Sequence, residues 1–175
     1  MAIDITAATV EAQPIIEQLL QLYEYDASEF YGADLEADGR YHVMDPDDLW
    51  RPGYHVYLLS VDVHLAGFAF VARHASYLDG TETWLIDEFF VMRKYRRRGV
   101  GEHVACTLFD RFPGRWELGQ LPENIPSQTF WRQVVGRYTK GQFREENVDT
   151  ERWRGPIQSF ISRESTIVVD PHLNA

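Results

Sequence analysis

The stretch Phe89-Phe90-Val91-Met92-Arg93-Lys94-Tyr95-Arg96-Arg97-Arg98-Gly99-Val100-Gly101 decides how this chain is read. An apolar, strand-like run ends at Met92, and five cationic side chains fall between Arg93 and Arg98. Gly99 and Gly101 then open a helical pattern in which Val100, Val104, Leu108 and Phe112 recur at every fourth position. Strand, basic turn and glycine-opened helix make an anion-binding arrangement. The N–H groups of a helix's first turn lack intrahelical partners, and glycine lets an anion approach the backbone closely. Without the glycines, the same turn would read as solvated surface.

Upstream, residues 82–92 are near-continuously apolar through Trp84, Leu85, Ile86, Phe89, Phe90 and Val91, as a central strand should be. Asp87 and Glu88 sit inside that strand. Carboxylates there are costly to bury unless paired or hydrogen-bonded, so their presence invites a functional explanation. Two strands precede it, 54–61 and 65–72, joined around Asp62-Val63-His64, and Gly67 marks a bulge in the second. A short strand at residues 3–6 begins the chain. A helix follows it, starting between Thr9 and Gln13, with Ile15, Leu19, Leu22 and Tyr23 on a core-facing stripe. From Glu24 to Asp48 the composition changes to nine acids against Arg40 alone, interleaved with Tyr25, Phe30, Tyr31 and Tyr41. That segment reads equally as solvated surface or as an acidic, aromatic wall facing a cationic acceptor. Downstream come a short strand through Trp116 and Leu118, a helix over 126–136, and two late strands, 138–147 and 156–163.

The 175 residues are expected to form one domain, with its core at about 3–163 and a tail at 164–175. Hydrophobic residues make up 45% of the chain, which excludes disorder as the ground state. No apolar run reaches the ~18 residues of a membrane helix, so no membrane association is expected. The N-terminus lacks a basic segment followed by an apolar core, and Cys106 stands alone. Both observations point to a cytoplasmic protein without disulfides, with Cys106 as a small core residue. The net charge of −10 argues against nucleic-acid binding. Because the basic turn carries +5, the rest of the chain carries −15, and a concentrated positive site points to a small polyanionic ligand. The six histidines are scattered singly without metal spacing, so no metal is expected.

Two motifs carry a family resemblance. Val91 followed by Arg96-x-x-Gly99-x-Gly101, at a strand-to-helix junction, resembles the pyrophosphate loop of the GNAT acetyltransferases. Asn124-Ile-Pro-Ser127-Gln-Thr-Phe130-Trp131 is similar to that superfamily's N-x-x-A-x-x-F/L-Y segment. The order of elements from residue 3 to 163 matches as well. Within the superfamily, 89–138 looks most like a bacterial group known only as predicted acetyltransferases, in which Phe-Trp replaces the usual aromatic–tyrosine pair. The resemblance implies a mixed α/β fold built on a central, mostly antiparallel, twisted sheet of about six to seven strands flanked by helices. It also implies acetyl-coenzyme A as co-substrate. A nucleotide-hydrolase phosphate loop would need Gly-Lys-Ser/Thr, and a dinucleotide loop would need glycine at Val104; neither is present.

Carried over residue by residue, the resemblance assigns the pyrophosphate to the backbone of Arg97, Arg98, Gly99, Val100, Gly101 and Glu102, with Arg96 at the motif's first position. Val91 would pair with the pantetheine arm and orient the acetyl carbonyl, and Asn124 would contact the same arm. Ser127 stands where alanine is commoner. Attack by an amine needs a base, for which Glu88 and Asp87 are the candidates. Strand alternation sends them to opposite faces, so only one should reach the cleft, and Glu88 is chosen because it shares parity with Phe90. Trp131 occupies the position of the family's tyrosine acid, and an indole N–H delivers no proton at a useful pKa. Water, Tyr138 or no acid at all remain as alternatives. The expected activity is acetyl transfer to a primary amine of a small molecule or peptide by direct attack. The alternative is an acyl-coenzyme A-binding regulatory module with little catalysis. The sequence leaves the oligomeric state open, a homodimer included.

Overall fold

The structure, a computed structural model, describes residues 1–162. The expected tail, and the end of the last expected strand at residue 163, lie outside the described residues. Seven strands form one sheet: β1 (Ile3–Ala7), β2 (Tyr54–Val61), β3 (His64–Ala75), β4 (Glu82–Val91), β5 (Gly114–Gly119), β6 (Arg144–Asp149) and β7 (Arg154–Ser162). Their spatial order is β1-β2-β3-β4-β5-β7-β6, and only β4 and β5 run parallel. Three helices cover it: α1 (Gln13–Tyr31), α2 (Val100–Arg111) and α3 (Ile125–Tyr138). This is the mixed, mostly antiparallel architecture expected.

The sheet is buried on both faces, which is why β3 is apolar without interruption from Ala66 to Ala72. Phe68, Phe70 and Ala72 pack with Val56, Leu49 and the α1 residues Ile16, Leu19 and Leu20. Ala69 and Val71 point the other way, onto Val104 and Leu108 of α2 and Val134 of α3. The two-residue β2–β3 turn places Asp62 and Val63 at φ 47° and 63°, and pairs Val61 with His64. The expected bulge falls one residue before Gly67: Leu59 opposes Gly67 while Ser60 opposes Leu65, so Ala66 has no residue opposite it. Burial pushes the Cys106 thiol up to about 11, consistent with a packing role.

Helix α1 extends further than the change in composition at Glu24 indicates. It runs on to Tyr31 and stops at Gly32, whose left-handed backbone (φ 67°) lets its N–H bond the Ser28 carbonyl. The first part of the acidic, aromatic segment is therefore helical. On that helix, Tyr23, Ala27, Phe30 and Tyr31 share a face.

Two features of the central strands shape the site. Strand β4 pairs with β5 only at Trp84–Trp116 and Leu85–Glu117, then continues to Val91 with no partner on that side among the described residues. The sheet splays open there, and a crevice at the carboxyl ends of parallel strands is where α/β proteins bind ligands. At the base of the splay, fully buried Glu117 accepts from the Ser76 hydroxyl and from the Tyr77 N–H at 3.0 Å. Those bonds tie the β3–β4 loop to β5. On the other edge of β4, Gly67 lies against Phe90: a Cβ there would come within 1.9 Å of the Phe90 carbonyl oxygen. Gly67→Ala is therefore expected to destabilise the fold by about 3 kcal/mol, read as a lower urea midpoint at unchanged slope.

Candidate active site

The splay opens into a cleft of about 570 Å³. Its walls come from α1 (Tyr23, Glu24, Asp26, Phe30, Tyr31), from Asp87 to Phe90 of β4, and from the chain leaving β5 (Gly119, Gln120, Leu121). Asn124, Ser127 and Trp153 complete it. A narrower groove of about 260 Å³ adjoins it, lined by Phe89, Val91, Arg97, Gly101, Ser127 and Trp131 among others. Phe89, Arg96, Pro126 and Ser127 line both. An open hollow of about 590 Å³ around Asp79, Arg115 and Arg144 contains none of the candidate residues.

The groove ends at the basic loop. Arg97 and Gly99 both adopt left-handed backbone, at φ 60° and 81°. For arginine this is an uncommon conformation, and outliers of this kind concentrate at ligand-binding loops. Gly99 is the N-cap of α2, and among the described residues no side chain caps the helix. The first intrahelical bond runs from the His103 N–H to the Gly99 carbonyl, so the N–H groups of Val100, Gly101 and Glu102 face outward. A Cβ on Gly99 would meet nothing within 4 Å, so the loop borders open space. At Gly101 a Cβ would lie 3.0 Å from the Phe130 ring. The cradle and its dipole fit a pyrophosphate, and the apolar groove beyond it fits a pantetheine arm.

The side chains of the loop are arranged less simply than the motif implies. Arg96 donates to the Val91 carbonyl at 2.6 Å and to Asp26 of α1, and Arg93 donates to Asp26 at 2.7 Å. Arg96 is thus a latch between α1 and the end of β4, and it occupies the carbonyl of Val91, one of the backbone groups of the residue expected to pair with the pantetheine arm. Burial works against the charge of Asp26, but the bonds from Arg96 and then Arg93 hold its carboxyl below the usual range. Val100 is buried in the core, and Glu102 makes a two-bond ion pair with Arg137 of α3. Both can therefore serve a ligand only through their backbone. Asn124 caps α3, its side-chain oxygen accepting from the Ser127 N–H at 3.0 Å.

Asp87 and Glu88 both line the cleft, against the expectation from strand alternation. The reason is a second bulge. Phe70 of β3 opposes Glu88 while Val71 opposes Ile86, so Asp87 has no residue opposite it. The extra residue resets the alternation: Ile86 packs in the core under α2 and α3, whereas Glu88 faces α1. Glu88 is half-buried, and burial pushes its carboxyl up to about 8. A hydrogen bond from the Tyr23 hydroxyl opposes that rise, and the charges of Asp87 and Glu24 add to it. Asp87 is exposed and accepts from the Tyr54 hydroxyl at 2.7 Å.

Trp131 is buried in the groove against Phe89 and Phe130. Tyr138 is not brought to the cleft. It lies thirteen residues along α3 from Ile125, with its hydroxyl bonded to Asp110 at 2.6 Å and its ring on Phe109 and Phe160. The residues the sequence reading missed are Tyr23, Gln120 and Trp153. Tyr23 falls on the core-facing stripe of the sequence, and its ring does pack edge-on against Phe68 and Phe90, but its hydroxyl bonds Glu88. Extending the helical stripe to Gly32 would have exposed the spacing Tyr23, Ala27, Phe30, Tyr31. Nothing local signals Gln120 or Trp153. Both line the cleft, and each has a buried polar atom, Oε1 and Nε1 respectively, without a partner among the described residues.

The profile of the Acetyltransferase (GNAT) family matches residues 19–136. No curated protein sequence matches the chain. Among solved structures it resembles an acetyltransferase from Thermus thermophilus at 15% identity and TM-score 0.66, covering 92% of this chain and 97% of that one. A GNAT-family acetyltransferase from Streptococcus agalactiae follows at 12% identity and TM-score 0.63, covering 93% and 96%. An aminoglycoside acetyltransferase solved in complex with coenzyme A aligns at 15% identity and TM-score 0.60, covering 91% and 95%. At such identities the structural likeness shows the fold alone, and the family rests on the profile. With the loop, the splay and two-thirds of the sequence in agreement, the chain belongs to the GNAT acetyltransferases, acyltransferases that use acetyl-coenzyme A as co-substrate.

Proposed function

We propose that this protein transfers the acetyl group of acetyl-coenzyme A to a primary amine by direct attack, with Glu88 as the general base. The observation that carries this reading is the place of Glu88 on the cleft wall, next in sequence to Phe89, which lines both cleft and groove; burial there pushes its carboxyl up to about 8. Amines reach the cleft as ammonium ions and attack only when neutral. A base whose pKa lies near the working pH is suited to taking that proton. Tyr23 holds the ionised Glu88 in place by hydrogen bonding, while the uncapped N–H groups of Val100, Gly101 and Glu102 anchor the pyrophosphate.

Acetyl-coenzyme A supplies a thioester carbonyl. The amine nitrogen forms the new C–N bond and the C–S bond breaks. Of the two protons an ammonium loses on becoming an amide N–H, Glu88 takes the one that frees the lone pair and solvent takes the second as the sulfur departs. Trp131 offers no acid, and the Tyr31 hydroxyl in the cleft already donates to Glu24. The sulfur therefore leaves as thiolate, which a pKa of about 8.5 permits. Calorimetry should give micromolar acetyl-coenzyme A binding, and thiol detection across an amine panel should give turnover. Binding without turnover of any amine would favour the non-catalytic, regulatory reading that Trp131 motivates. A folded protein that binds no acetyl-coenzyme A would exclude both.

A further inference from the structure

The acceptor cleft holds more hydrogen-bond acceptors than a simple amine can satisfy. Four carboxylates line it (Glu24, Asp26, Asp87 and Glu88) against one guanidinium, that of Arg96. Asp26 is matched by Arg96 and Arg93. Glu24 and Asp87 receive only tyrosine hydroxyls, from Tyr31 and Tyr54, and among the described residues neither forms an ion pair. Gln120 adds an independent observation. The residue lines the cleft and is 4% exposed, its Nε2 donates to the Leu118 carbonyl at 2.9 Å, and its buried Oε1 has no donor among the described residues. A buried oxygen acceptor without a donor is unfavourable, and a ligand N–H removes the penalty.

The attacking nitrogen cannot serve all of these groups. It must turn its lone pair to the thioester and give one N–H to Glu88. Glu24, Asp87 and Gln120 Oε1 are left, and all of them call for donors and, at the carboxylates, for positive charge. The rings of Tyr31 and Trp153 on the same walls are suited to a cation as well. We infer that the acceptor is an aliphatic diamine or polyamine, whose second ammonium is held by Glu24, Asp87 and Gln120 while its first nitrogen faces Glu88. This inference rests on the acetyl-transfer reading of the same cleft.

Titration calorimetry of the protein saturated with coenzyme A tests it, using putrescine, spermidine, n-butylamine and glucosamine as ligands. Putrescine should bind on the order of tenfold tighter than n-butylamine at low salt, the advantage expected of one added charge pair in a partly enclosed site. Sodium chloride should shrink that ratio. Glu24→Gln, Asp87→Asn and Gln120→Met should each move it toward one, with folding checked by circular dichroism. Equal binding of putrescine and n-butylamine, absence of putrescine binding, or a preference for glucosamine would overturn the inference. A ratio unchanged in both carboxylate variants would overturn it too. The coenzyme titration separates the two levels. A protein that fails to bind coenzyme A contradicts the acetyl-transfer reading, whereas one that binds it and treats the two amines alike contradicts only the diamine.

Discussion

Glu88→Gln is expected to lower kcat by about 10²–10⁴ while leaving acetyl-coenzyme A affinity within about twofold, because the amide keeps the shape of the carboxyl but accepts no proton. The wild-type kcat/KM should rise about tenfold per pH unit and level off above pH about 8, where Glu88 becomes ionised, and the variant should lose that limb. Stability should respond in the opposite sense to activity. The folded state holds the Glu88 proton up to about 8, whereas the unfolded chain releases it near the usual 4.5. Between those values the folded state binds more protons, so the contribution of Glu88 to stability falls as pH rises and is fully unfavourable above about 8. Below about pH 4 the carboxyl is protonated in both states and the penalty vanishes. At pH 8, then, Glu88→Gln should be more stable than wild type, on the order of 1–3 kcal/mol, and at pH 4 the two should match. Urea titrations at both pH values, alongside initial rates, decide the matter. A variant whose stability difference from wild type is the same at both pH values would show that Glu88 is not held protonated, and one that retains activity would show that it is not the base.

Gly101→Asp should weaken acetyl-coenzyme A binding about 100-fold with little change in melting temperature. Residue 101 is the second of α2, where a carboxylate favours the helix through its dipole. The same carboxylate would occupy the anion site and repel the pyrophosphate. Its Cβ must also displace the Phe130 ring, which would lie 3.0 Å away. Gly101→Ala separates the two effects, since it brings the steric contact without the charge and should cost only about tenfold. Gly99→Asp should weaken binding similarly but also destabilise by about 1–2 kcal/mol, because its backbone is left-handed at φ 81°. Calorimetry paired with thermal melts checks all three. Unchanged affinity in Gly101→Asp would mean that the loop is not the pyrophosphate site.

The local structure of the proposed donor half was legible in the sequence because its information is local. A strand, a basic turn and two glycines within thirteen residues specify an uncapped helix end, and Asn124 with Ser127 three residues on specifies a capped one. The sheet followed from apolar runs between turn signals, and its register explains why β3 is buried from Ala66 to Ala72. The acceptor half was not legible to the same degree. Alternation along β4 depends on every residue having a partner, and the bulge at Asp87 breaks that assumption without a glycine or proline to announce it. Tyr23 belongs to the core through its ring and to the cleft through its hydroxyl, and a pattern of apolar positions registers only the ring. Gln120 and Trp153 reach the cleft because β5 parts from β4 and pairs with β7, a consequence of strand order rather than of any short motif.

The paired arginines on Asp26 have a mechanical consequence. Helix α1 supplies one wall of the proposed acceptor cleft, and the turn after β4 carries the loop proposed to face the coenzyme. Arg93 and Arg96 fasten the two together at a single carboxylate, and Arg96 reaches on to the last carbonyl of β4. The width of one chamber and the set of the other therefore share a hinge pin. Changing the acceptor range by remodelling the second half of α1 shifts the coenzyme loop as well, unless Asp26 is kept. Selection or engineering on this scaffold has most freedom at Tyr31, Gln120 and Trp153, which touch the acceptor side without passing through that pin.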